Sequence, residues 1–325
     1  FMQSHIRPFD LLNDCLFRCE IYRHGHDVYM LRDTHHIIYD GVSAMLFHQD
    51  MVKAYGGATL EAETYTALDH ALDEKEMLES DEADKAAAWF DKLLDQSEPT
   101  SYPRSSQPDN DIAGGMGRIR LTLPSADIKT FCAKGGITVS NYMLSAFLQL
   151  LHRLTREQTI QITTVNNGRN DMRLLPDMGM FVKTLPVVSR CSAPTASPLE
   201  FARDIQSQFL TSQDYDFYPF TALVETKGVR PDIMYVYEGG INLEGDGDDT
   251  LKTEKIPLTL DTAKVPLTVL VFEPSSDEFE LSLEYDTSMY SRDDMEVLME
   301  MMRTLSLSLT DAATIADGRM VNAAQ

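Results

Sequence analysis

The residues best suited to chemistry fall in one stretch, Thr34 to Ser43, THHIIYDGVS. His35 and His36 stand side by side, with Asp40 four residues after the second and Gly41 next to it. Imidazole exchanges a proton near neutral pH, so it can accept one from an incoming nucleophile. A glycine N–H at a helix start has no side chain in front of it and can bind the oxyanion of a tetrahedral intermediate. Histidine, carboxylate and exposed N–H together are what acyl transfer requires. The same residues also fit a plainer description, in which two histidines close a strand and an aspartate caps the next helix.

Three elements must position this stretch. Residues 15–23 and 27–36 alternate apolar and polar side chains around His24-Gly25-His26, the pattern of a β-hairpin. On a strand that runs to residue 36, His35 and His36 point to opposite faces, and only one can face a given cleft. Residues 42–55 change to a helical period, as do 60–78 and 81–94. The stretch 97–117, crowded with Pro, Ser, Gly and Asn, reads as a linker. It divides the chain into a first lobe of residues 1–96 and a second of 118–325. In the second lobe, strands are expected at 118–123, 159–165, 181–188, 232–237, 253–260, 265–273 and 279–285, and helices at 125–134, 139–154, 198–212, 220–225 and 291–309. The chain is thus predicted to be α/β, with helices packed on a sheet in each lobe.

Composition removes several function classes. The 325 residues hold 28 Lys and Arg against 51 Asp and Glu, a net charge of −23. Phosphate-tracking proteins gather cations instead, so nucleic acid and anionic membrane surfaces are not expected partners. No apolar run reaches membrane-spanning length, and the opening FMQSHIRPFD is no signal peptide. A strand follows so closely on that opening that the chain reads as a fragment of a longer polypeptide. Its four cysteines, Cys15, Cys19, Cys132 and Cys191, are scattered. Cys15 and Cys19 read as buried free thiols, and the usage suits a reducing, cytoplasmic setting. His24 and His26 lack further ligands at metal spacing, and the acidic, Gly-rich loop 238–249 does not match an EF-hand, so no metal site is expected. G-x-S-x-G, G-x-G-x-x-G and Walker A strings are missing from the sequence, which removes the usual support for hydrolase, nicotinamide and nucleotide readings.

The heptad HHIIYDG resembles the H-H-x-x-x-D-G motif of nonribosomal peptide synthetase condensation domains, which belong to the chloramphenicol-acetyltransferase-like acyltransferases. Residues 6–22 (IRPFDLLNDCLFRCEIY), 81–94 (DEADKAAAWFDKLL), 139–170, 178–188 (MGMFVKTLPVV), 212–225 (SQDYDFYPFTALVE) and 279–291 (FELSLEYDTSMYS) resemble further segments of that family, in order. The family's opening segments have no counterpart, Lys183 stands where Asn is usual, and 229–240 matches only faintly.

The resemblance implies two acetyltransferase-like lobes of mixed sheets and packed helices in a V-shaped arrangement, here with the first lobe incomplete. It implies amide-bond formation between a donor thioester and an acceptor aminoacyl thioester. Both arrive on 4'-phosphopantetheine arms of peptidyl carrier proteins, and no cofactor is bound intrinsically. A neighbouring adenylation domain in the same polypeptide is a further expected partner. On this mapping His36 acts on the amine as general base or as positioning group, Gly41 is a candidate oxyanion contact and His35 is structural. Asp40 pairs with Arg169 of the NGRN string. The alternatives are a stand-alone acyltransferase using coenzyme A or a carrier, and a non-catalytic module that recruits carrier proteins. Such modules usually lose the histidine pair that this chain retains.

Overall fold

A computed structural model describes residues 6–110, 114–191, 195–239, 254, 256 and 262–320. The chain divides into two compact units, one holding residues 6–75 with 167–182, the other most of the remainder.

The first unit is built on a hairpin, β1 (Phe17–His24) paired antiparallel with β2 (Asp27–Thr34). Gly25 makes the turn at φ 62°, a left-handed conformation that glycine adopts without a Cβ clash. After β2 come α1 (Gly41–Tyr55) and α2 (Ala67–Leu78). Phe17 packs on Phe47 of α1 with ring centres 5.7 Å apart, and Arg32 lies over the rings of Tyr39 and Phe47. The helical period predicts a helix from residue 60, but α2 starts at 67. Thr66 and Asp69 exchange hydrogen bonds across the first turn, a capping box that fixes the start there. Cys15 and Cys19, expected to be buried, are exposed, the first just before β1 and the second within that largely uncovered strand.

In the second unit, α3 (Asp81–Leu94), β3 (Met116–Pro124), α4 (Ala126–Gly135), α5 (Val139–Thr155), β4 (Thr159–Asn166), β5 (Lys183–Arg190), α6 (Pro198–Asp214), α7 (Phe220–Lys227), β6 (Ile233–Gly239), β7 (Leu267–Phe272), β8 (Glu278–Asp286) and α8 (Arg292–Ser308) follow in order. The strands form a six-stranded sheet in the order β3-β8-β7-β6-β4-β5. Its β4–β6 and β6–β7 pairs are parallel and the others antiparallel, which makes the sheet mixed. Helix α5 is apolar around most of its circumference and buried from Asn141 to His152, packing against α4, α6 and α8.

Sequence patterning groups α3 with the first lobe, yet Phe90, Leu93 and Leu94 of α3 are buried with Leu185, Val188, Leu223 and Val229 of the second unit. An amphipathic helix joins whichever core its apolar stripe meets, and its period alone does not name that core. The stretch read as a linker is tied to the same unit, with Thr100 N–H donating to Gln161 O at 2.9 Å and Ser105 N–H to Met289 O at 3.0 Å. The strand expected at 253–260 and the acidic loop at 238–249 fall almost wholly outside the described residues. Among the described residues, no helix is long and apolar enough to cross a membrane, and no cluster of three or more His, Cys, Asp or Glu is placed to hold a metal.

Phe147 on α5 is 0% exposed, so Phe147→Ala should destabilise the second unit by about 3–5 kcal/mol. The one tryptophan, Trp89, lies in that unit, and its fluorescence during urea unfolding would report the shift in midpoint.

Candidate active site

The hairpin ladder ends at Thr34, and His35 N–H donates to Leu16 O at 2.9 Å as the last tie to β1. His36 then opens a single 3₁₀ turn, His36–Ile38, instead of continuing the strand. Two local bonds hold the turn: Ile37 N–H donates to His35 Nδ1 at 3.1 Å, and His36 Nδ1 lies 2.6 Å from Tyr39 O. Strand alternation therefore does not orient the two rings; these side-chain-to-backbone bonds do. His35 is half-buried, its ring edge-on to Phe9 at 5.9 Å, whereas His36 is exposed.

A carbonyl oxygen only accepts, so the contact with Tyr39 places the His36 proton on Nδ1 and leaves Nε2 with a lone pair. His36 borders two concavities of the first unit. One, of ≈550 Å³, is lined by Ile6 to Phe9, Leu11, Asp33, Thr34 and His35. The other, of ≈250 Å³, is lined by Thr34, Tyr39, Asp40 and Gly41. Gly41 is the first residue of α1, so its N–H has no carbonyl partner within the helix. His36 and the first residue of α1 thus border one space. Burial is the main cause that pushes the Tyr39 hydroxyl up to about 12, so it stays protonated.

Asp40 borders this space, but both of its carboxylate oxygens are taken up by protein partners. It caps α1, with Oδ1 accepting from Ser43 N–H at 2.8 Å, and its side chain is fully buried. Arg169 Nη2 reaches Oδ1 at 3.2 Å, and Phe181 N–H donates to Oδ2 at 3.2 Å. Ser43, which sequence reasoning did not single out, is 0% exposed. Its hydroxyl lies 2.8 Å from both Asp40 Oδ1 and Gly179 O, and it accepts from Gly179 N–H at 3.0 Å and Arg169 Nη2 at 3.3 Å. Only the helical offset of three from Asp40 hinted at it, since a serine there is near enough to share a cap.

Arg169 sits on the segment 167–182, which leaves β4 and returns to β5. Its Nη1 donates to Leu174 O, and to Asp177 O at 2.7 Å. A 3₁₀ turn at Met172–Leu174, capped by Asp171, presents the first of these carbonyls. Gly168 (φ 66°) allows the fold-back, because a Cβ there would lie 1.8 Å from Phe181 O. The Asp177 carboxyl is buried at 1% exposure. Burial, aided by Glu63 and opposed by Arg169, holds it above the ordinary carboxylate range.

Removing one partner of a buried ion pair strands the other charge, so Asp40→Ala and Arg169→Ala should each lower unfolding stability by about 3–5 kcal/mol. The double variant should lose clearly less than the sum of the two, as read from a double-mutant cycle in urea. Asp177 carries the opposite sign. Its folded form holds the proton to higher pH than the unfolded form, so its ionisation subtracts stability as pH rises from about 4 towards neutrality. Asp177→Asn should therefore raise the melting temperature at neutral pH and have little effect at acid pH.

A family model described as Condensation domain matches residues 1–320. Bacitracin synthase 1 of Bacillus licheniformis is 25% identical over 335 residues, which cover 97% of this chain and 6% of that protein. The chain therefore spans only a small part of the curated relatives that it resembles. Two solved structures share the fold. The X-domain from teicoplanin biosynthesis has a TM-score of 0.81 at 18% identity, with 98% of this chain and 78% of that one covered. The first condensation domain of the calcium-dependent antibiotic synthetase, in complex with a substrate analogue, has a TM-score of 0.74 at 16% identity, with 98% and 73% covered. The chain belongs to the condensation-domain family.

Proposed function

We propose that this chain is a condensation domain of a nonribosomal peptide synthetase and forms an amide between two carrier-bound substrates. The acceptor's amine nitrogen attacks the carbonyl carbon of the donor thioester. The C–N bond forms, the tetrahedral intermediate collapses with loss of the C–S bond, and the donor carrier's pantetheine thiol leaves as the peptide passes to the acceptor arm. His36 Nε2 accepts the amine proton as the C–N bond forms and passes it to the departing sulfur, and Gly41 N–H donates to the oxyanion. Asp40, Arg169 and His35 hold the loop and do not touch substrate.

The observation that carries this reading is the tie of His36 Nδ1 to Tyr39 O at 2.6 Å, which leaves Nε2 with a lone pair on a side chain that borders the same concavity as Gly41. Bacitracin synthase 1, of which the chain matches 6%, is a synthase many times longer, in keeping with a unit that works beside adenylation and carrier domains of one polypeptide. The pantetheine arms come with the carriers, and the domain needs no group of its own. Exposed free thiols at Cys15 and Cys19 suit the reducing interior of a cell.

The test uses the full-length polypeptide with loaded donor and acceptor carrier proteins and follows the amide product. His36→Ala should lower turnover roughly 10²- to 10⁴-fold. Unchanged product formation in that variant would overturn the role given to His36. Product from a coenzyme A thioester and a free amine, with none from loaded carriers, would instead identify a stand-alone acyltransferase.

A further inference from the structure

Phe181 is 1% exposed and meets the Asp40–Arg169 pair twice. Its N–H donates to Asp40 Oδ2 at 3.2 Å, and its ring lies under the Arg169 guanidinium, whose carbon is 4.5 Å from the ring centre. Arg169 Nη1 and Nη2 have oxygen partners, but its buried Nε has no hydrogen-bond partner. A buried cation with an unmatched N–H is costly unless some other negative surface faces it, and the π face of an aromatic ring is such a surface.

The ring is itself held in place. His70 of α2 packs edge-on to it at 5.6 Å and 63°, and His70 Nε2 is 3.3 Å from Glu74 Oε1 on the next turn. A Cβ at Gly179 would lie 2.7 Å from the ring and 2.9 Å from Ala67 Cβ, so glycine there lets ring and helix close together. A chain of contacts thus runs from His70 through Phe181 and Arg169 to Asp40, the cap of α1 that precedes Gly41 and follows the His36 turn.

We infer that Phe181, backed by His70, is a positioning residue for the amide-forming reaction: its ring face holds the Arg169 guanidinium against Asp40 and so fixes the start of α1 beside His36. The inference rests on the function proposed above. Neither residue touches substrate, and both act through Arg169.

A graded test separates ring electronics from ring shape. Phenylalanine carrying one, two and three fluorines is placed at position 181 of the full-length polypeptide, which keeps the shape and progressively removes the negative face. Two readouts are taken: turnover with two loaded carriers, and hydrogen exchange of the Arg169 side-chain N–H groups by NMR. The trifluoro form should lower kcat roughly tenfold, with KM within about twofold, and exchange should quicken in step along the series. Constant kcat and constant exchange across the series would overturn the inference. Graded exchange with constant kcat would overturn the link from ring to chemistry. If the unmodified protein makes no amide while exchange still follows the series, the amide reading fails and the hold of the ring on Arg169 stands. His70→Leu should quicken the same exchange several-fold, and unchanged exchange would remove His70 from the chain of contacts.

Discussion

The first unit is organised around one expensive interaction, the ion pair between Asp40 and Arg169, whose side chains are 0% and 1% exposed. Two charges withdrawn from water are stabilised only if the remaining donors and acceptors are also matched. Much of the local architecture does this matching. Ser43 N–H and hydroxyl, Phe181 N–H and the carbonyls of Leu174 and Asp177 all address the pair. The 3₁₀ turn at Met172–Leu174 and the left-handed Gly168 exist in service of the same end, since they bend the segment 167–182 around the guanidinium. Buried ion pairs add little net stability, but they strongly penalise arrangements in which one partner is displaced. The pair therefore specifies geometry more than it adds free energy.

That geometry has a consequence for chemistry. Asp40 spends its carboxylate oxygens on Ser43, Arg169 and the Phe181 N–H, so both already have partners within the protein. The exposed group is His36, held by a short bond to the backbone of Tyr39 only three residues on. A side chain oriented by its own turn, on a loop clamped by a buried charge pair, has rigidity without being enclosed. Under the proposed function, substrates that arrive on long arms would need this combination, because the imidazole has to stay accessible without wandering.

Much of the secondary structure was legible from periodicity. The hairpin around Gly25, helix α3 at Asp81–Leu94 and the all-round apolar α5 follow from side-chain spacing that admits few alternatives. The mixed α/β class and the family follow from the same patterns together with HHIIYDG. Capping chemistry was the weaker signal: the Thr66–Asp69 box that delays α2 is written in the sequence but is easily outweighed by the apolar period around it. The rings of His35 and His36 show a similar limit, because two local hydrogen bonds end a strand that alternation alone would extend.

The sequence by itself determined which side chains are candidates for chemistry and most of the local elements that bear them, because residue type, helical period and turn propensity act over a few neighbouring positions. Only the tertiary structure decided that the core of the second unit takes α3 and that Ser43 and the Phe181 N–H complete the Asp40 cradle. It also decided that Asp177 stays buried above its ordinary titration range. These outcomes depend on desolvation and on contacts between residues more than a hundred positions apart, such as Asp40 and Arg169 at a separation of 129. Burial is a property of the packed chain as a whole, and no local pattern of residues contains it.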